Sequence, residues 1–236
     1  MHAYDVIVNF FKQGGFFLYP IALIWAIGLV IAIERFAYLM RVGTGNKRLW
    51  DQLQPLFEAG NFKAATNAVS DSDTALAQVM RYGMSRITTA RRREDIEKAM
   101  EESLVEVIPH LERRTHYLAA LANIGMLMGL FGTVLGLSNA FAAVAQANPA
   151  EKASLLSASI SVAMNNTALG LLVAITLLLS HLYLETKTTN IVDSLEVASV
   201  KFLNAISERQ QRVPGAEAPA AASATGRTGE VRGARA

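Results

Sequence analysis

The 236-residue chain has no cysteine, which excludes a disulfide framework, a cysteine-ligated zinc or iron–sulfur site and thiol catalysis. Charge is scarce. Asp, Glu, Lys and Arg make up 18% of the residues and leave a formal net charge of +2, too balanced for the electrostatic footprint of a nucleic-acid binder. There is no nucleophile–base pair, metal constellation or cofactor loop, so the chain offers no chemistry for an enzyme, a metal or a cofactor. The glycine-rich run GLFGTVLG at 129–136 lacks the GK[ST] ending of a phosphate loop and sits in an apolar stretch. Proline is missing from the whole interval between Ala158 and Val213.

What is abundant is apolar side chain, and it is concentrated. Mean hydropathy is +0.27. Phe16 to Ile33 runs FFLYPIALIWAIGLVIAI without a charge, Tyr117 to Ala145 is uncharged, and Ala158 to Leu184 has His181 as its one ionisable side chain. Each suits a helix crossing roughly 30 Å of hydrocarbon. The first run is too long, with too weak a positive flank, for a cleaved signal. Arg35, Arg41, Lys47 and Arg48 follow span one, Lys98, Arg113 and Arg114 precede span two, and Lys187 and Lys201 follow span three; only Lys12 and Lys152 lie on the other side. The positive-inside rule then places the N-terminus outside and the C-terminus in the cytoplasm.

The expected layout is an outer segment 1–15, spans at 16–40, 117–145 and 158–184, a cytoplasmic helical domain 41–116, an outer loop 146–157, a cytoplasmic helix 185–212 and a disordered tail 213–236. Phe16, Phe17 and Tyr19 mark the outer edge of span one; Phe36 and Tyr38 mark its inner edge. Gly43, Gly45 and Gly60 are expected to break the chain after it. Helical spacing recurs in Phe62, Ala65 and Val69, then in Ala75, Val79, Met80 and Met84. A helix from Glu94 should run into span two with Pro109 as a kink or boundary. Span three should continue inward as one long helix. Its seam of Ile191, Leu195, Ala198, Phe202 and Ala205 is expected to pack on the 94–116 helix. The Arg91–Arg93 run reads as a solvated face, as do Arg227, Arg232 and Arg235 in the tail, with lipid headgroups the other reading.

Helices in lipid associate through small residues and polar contacts. Gly125, Gly129, Gly132 and Gly136 fall on one face of span two, and Ala163, Gly170 and Ala174 form a small-residue stripe on span three. Thr133 and Thr167 lie about 18 Å and about 14 Å from the outer ends of antiparallel spans, so they reach similar depth. A threonine can also satisfy its hydroxyl on its own helix, and that reading stands beside the functional one. Asn165 and Asn166 add amides nearby that must face protein or water. No carboxylate lies deep in a span, and His181 reads as interfacial rather than as a proton relay. An ionisable group for conduction would therefore come from a partner's membrane helix.

FFLYPIALIWAIGLVIAIERFAYL at 16–39, GMLMGLFGTVLGLSNAF at 125–141, NNTALGLLVAI at 165–175 and GNFKAATNAV at 60–69 resemble the MotA/TolQ/ExbB proton-channel family, and its three-span ExbB/TolQ branch in particular. The resemblance implies an all-α membrane protein of the bacterial inner membrane, with three transmembrane helices and long cytoplasmic helical extensions, assembled as a homopentameric ring. It implies two copies of a single-span ExbD/TolR-like partner in the pore, whose membrane aspartate takes up and releases protons. It further implies that Thr133 and Thr167 line the pore and that ion flow drives work on envelope or motility machinery. One position departs from the pattern. ExbB-like members usually carry glutamate five residues before the span-three threonine, where this chain has Val162. That leaves a sodium-driven variant open. A passive membrane scaffold is the other reading of the glycine faces.

Overall fold

A computed structural model describes residues 15–87 and 93–212. They form six helices: α1 (Leu18–Glu58), α2 (Phe62–Ser70), α3 (Ala75–Arg86), α4 (Arg93–Glu112), α5 (Thr115–Gln146) and α6 (Lys152–Arg212). There is no strand among the described residues. Three stretches, α1, α4 with α5, and α6, contain windows long and apolar enough to cross a membrane. The N-terminal segment with Lys12, the arginines at 91 and 92, and the tail with Arg227, Arg232 and Arg235 lie outside the described residues.

The two longest helices set the dimensions. At 1.5 Å per residue, the 61 residues of α6 extend about 92 Å and the 41 of α1 about 62 Å, so both reach well past a bilayer. The absence of proline permits the first. Gly43 and Gly45 do not interrupt the second, contrary to expectation; neighbouring side chains pack against α1 at both. A Cβ on Gly43 would stand 3.7 Å from the Ile191 side chain, and one on Gly45 would stand 3.0 Å from Thr74 Cγ2. The break comes at Gly60, whose φ of +70° is the left-handed conformation that glycine adopts without strain. The connection between α5 and α6 is also shorter than the apolar runs suggested, since α6 already begins at Lys152.

Below the spans, α2, α3 and α4 close a core against the inner halves of α1 and α6. Asn61 Oδ1 accepts from Ala64 N at 3.2 Å to start α2, and Thr74 Oγ1 accepts from Ala77 N at 3.2 Å to start α3. Asn46, reaching across from α1, accepts from Leu76 N at 3.1 Å and gives α3 a second cap. Phe57, Met80, Met100 and Phe202 are buried together here. The α6 seam meets α1 and α3 as well as α4. Phe202 packs on Phe57 with ring centroids 5.3 Å apart and lies against Gly83, while Ile191 lies against Gly43. The contact expected with the 94–116 helix exists, but it is one of three. α4 stays near α6 through Arg93, which donates to Asn204 Oδ1 at 2.9 Å.

Pro109 sits inside α4 without ending it; the break falls at Arg113–Arg114, where Arg114 adopts φ 67°. A left-handed non-glycine residue costs about 1–2 kcal/mol, so its surroundings must hold it. Two side-chain contacts from α1 do so. Arg35, only 5% exposed, donates to the Leu111 carbonyl near the α4 C-terminus, and Glu34 pairs with Arg114 at 2.7 Å.

Glu34–Arg114 at one end, and Phe17–Phe131 at 5.6 Å together with Gly15 against Val162 at the other, fix the register of α1 on the α5–α6 hairpin. The outer end of α1 therefore lies between the levels of Phe131 and Val162, and not level with Ala145 and Ala158 as equal spans would require. From Phe131 to Ala145 the hairpin continues about 21 Å beyond α1.

Candidate functional site

The α5–α6 crossing is closest where both helices carry glycine. A Cβ placed on Gly129 would stand 2.9 Å from both the Asn166 carbonyl oxygen and Gly170 Cα; one on Gly170 would meet Gly129 Cα at 2.9 Å and the Gly125 carbonyl at 3.0 Å. Gly125 faces Val173, Gly132 faces Asn166, and Gly136 faces Ala163. All four glycines of α5 thus pack on α6 of the same chain. Ala163 and Ala174 complete the face and are buried in it.

This close approach brings the two threonines together. Thr133 and Thr167 hydroxyls are hydrogen-bonded to each other, with either able to donate. Thr133 Oγ1 also lies 3.1 Å from the Gly129 carbonyl and 3.3 Å from that of Ala163, and Thr167 Oγ1 lies 3.4 Å from the Gly129 carbonyl. Each hydroxyl therefore has a backbone acceptor and a hydroxyl partner within reach, and rotation about one C–O bond moves a hydrogen from one acceptor to the other. Both side chains are half-buried. Their matching depth follows from the antiparallel register, but relative to α1 they stand at its outer end, just beyond Phe131.

The two asparagines part company. Asn166 is 3% exposed, lies against Gly132, and keeps Oδ1 without a hydrogen-bond partner. Asn165 is only partly buried, on the adjacent face. Val162 lies near Gly15 at the α1 end.

Several polar contacts within or beside the spans escaped the sequence reading. Trp25 Nε1 donates to Thr176 Oγ1 at 3.0 Å, tying α1 to α6. Arg35 is buried, and its guanidinium also stacks 4.8 Å from the Tyr38 ring centroid. A tryptophan and a threonine on two apolar runs are a signal in principle. The offset of α1 along the hairpin hides it, because equal spans would not place them at one level.

The chain that builds this seam has recognisable relatives. The sequence model of the MotA/TolQ/ExbB proton channel family matches residues 71–197. The chain belongs to that family. A protein of Methanothermobacter thermautotrophicus named for homology to the biopolymer transport protein ExbB is 25% identical over 196 residues, covering 82% of this chain and 68% of that protein. The biopolymer transport protein ExbB of Salmonella typhimurium is 29% identical over 158 residues, 64% of this chain and 62% of the relative. An ExbB-like protein of Synechocystis is 24% identical over 167 residues, 70% of this chain and 79% of its own length. The protein is thus an ExbB-like, multi-pass membrane member of a proton-channel family, and not an enzyme.

Proposed function

We propose that this chain is the ring-forming subunit of an ion-motive-force-driven motor in the bacterial inner membrane, with its N-terminus outside and its C-terminus in the cytoplasm. It assembles as a homopentamer around two copies of an ExbD/TolR-like single-span partner and serves a biopolymer-transport or related envelope machine. The observation that carries this reading is the hydroxyl pair Thr133–Thr167 at the glycine crossing, in spans that contain no carboxylate. Hydroxyls and carbonyls can pass or orient a proton but cannot store one near neutral pH; a carboxylate from a partner helix can. Protonation removes its charge and changes its cost in a low-dielectric pore. Each charge crossing the membrane releases about 2.3 kcal/mol per 100 mV, enough over a few ions to move one packed helix past another.

Two alternatives rest on particular residues. Asn165, Asn166 and the two hydroxyls, with Val162 where a glutamate is usual, favour a sodium-driven variant of the same motor. The glycine faces alone would serve a passive scaffold for partner assembly. Reconstitution into liposomes with and without the partner separates all three. The expected result is proton uptake that requires the partner and persists when sodium is replaced by potassium; partner-dependent uptake of sodium instead of protons identifies the sodium variant, and no uptake of either ion above partner-free liposomes identifies the scaffold. Thr133→Val and Thr167→Val should each assemble normally and abolish the flux, and unchanged flux would remove both residues from the path.

A further inference from the structure

A second polar constellation lies on the same seam, about 21 Å inward from Thr167 along α6. A cavity of about 90 Å3 is lined by Glu112, Thr115, His116, His181, Glu185, Thr188 and Thr189. It sits level with the Glu34–Arg114 pair and with Phe36, whose ring is 5.8 Å from that of Tyr183, and so at the inner end of the spans. Its volume accommodates a short chain of water molecules, and its walls supply the two to four polar partners each water needs. His181 Nδ1 is 3.5 Å from Glu185 Oε2. Thr115 is 5% exposed and its hydroxyl has no hydrogen-bond partner in the protein, which is costly unless the cavity provides one. Fourteen residues at 100° each turn His181 to within about 40° of Thr167, on the α6 face directed at α5.

We infer that this cavity is the cytoplasmic proton-transfer station of the channel, with His181 as its proton carrier. The inference rests on the conducting role proposed for the seam. It adds the exit, which the threonines cannot supply because a hydroxyl does not hold a proton at neutral pH. Imidazole is the side chain whose ordinary titration falls near cytoplasmic pH. The neutral ring takes one proton at one nitrogen from water on the membrane side. The imidazolium gives up the proton on the other nitrogen, through Glu185 or directly, to water on the cytoplasmic side. Return to the starting tautomer resets it, and no bond other than N–H and O–H changes. The charged groups facing this exchange are Glu112 from α4 and Glu185 from α6, with His116 from α5 as a second base and the Glu34–Arg114 pair on the neighbouring turn. Thr115, Thr188 and Thr189 line the water chain; the Thr188 hydroxyl is already donated to the Leu184 carbonyl at 3.0 Å, leaving its oxygen as an acceptor.

The test is proton flux through the full chain reconstituted with its single-span partner, comparing wild type, His181→Gln and Thr133→Val. Imidazole is supplied to the compartment facing the inner halves of α1 and α6. His181→Gln should keep the oligomer, lower flux by about tenfold or more, and recover with imidazole, as a missing proton carrier does. Thr133→Val should lose flux and not recover. Wild-type flux from His181→Gln, or a loss that imidazole leaves untouched, overturns the station while the channel stands. Wild type that conducts no better with its partner than without removes the channel, and the station with it.

Discussion

Gly129 has no room for even one carbon. Two α6 backbone atoms lie 2.9 Å from its would-be Cβ, whereas the would-be Cβ of Gly125 meets a side-chain methyl of Val173 and no backbone. Gly129→Ala should therefore destabilise the hairpin by about 1–3 kcal/mol, more than Gly125→Ala, as measured by thermal unfolding in detergent. Equal losses would show that the crossing relaxes freely. The damage belongs to the fold of a single chain, since α6 is the partner, and any loss of oligomer would follow from it. At the threonines, Thr133→Ser should retain most of the flux that Thr133→Val abolishes, because it keeps the hydroxyl and loses only a methyl. The glycine stripe and the threonine pair were legible in the sequence because helical periodicity and antiparallel spans fix both face and relative depth. Arg35 was not. A cation next to Glu34 at a span end reads as solvated, and only the arrival of the α4 C-terminus beside it explains its burial.

At the scale of the helix, Gly60 broke the chain as expected, Gly43 and Gly45 did not, and Arg114, which was not suspected, did. Gly43 and Gly45 weaken α1 by about 1 kcal/mol each relative to alanine, yet they admit Ile191 and Thr74, and tertiary packing outweighs propensity. Pro109 removes one intrahelical hydrogen bond without stopping α4. Arg114 breaks the chain through a conformation that its sequence neighbours do not encode and that Arg35 and Glu34 hold in place. The small helices were readable from the spacing of their apolar residues, and the structure adds local caps from Asn61 and Thr74. The cap from Asn46 is not local. Asn46→Ala leaves the buried Leu76 amide without an acceptor, at a cost of about 1–2 kcal/mol. Hydrogen exchange should show faster exchange in the first turn of α3, with α2 unchanged. Uniform acceleration would mean that the cap supports the whole cytoplasmic core.

For the whole molecule, the offset of α1 on the hairpin is the feature that composition did not predict. Apolar windows mark which residues prefer lipid, but they carry no information on how one helix slides along another; that is fixed by Phe17 on Phe131 and Glu34 on Arg114. Beyond α1, the hairpin exposes Phe141 and Ile160, with Val134 beside the outer end of α1, an apolar surface that a ring of identical subunits would cover. The absence of cysteine makes orientation directly testable, because any introduced thiol is the only one in the chain. Asn148, exposed between α5 and α6, and Glu101, exposed on α4, lie at opposite ends of the molecule. In intact cells with a permeabilised outer envelope, Asn148→Cys should react with a membrane-impermeant maleimide, while Glu101→Cys should react only after the inner membrane is opened. The reverse pattern would invert the channel and place the His181 cavity at its entrance. The ion gradient would then meet the imidazole before the threonine pair, and the order of the two stations in the path would have to be exchanged.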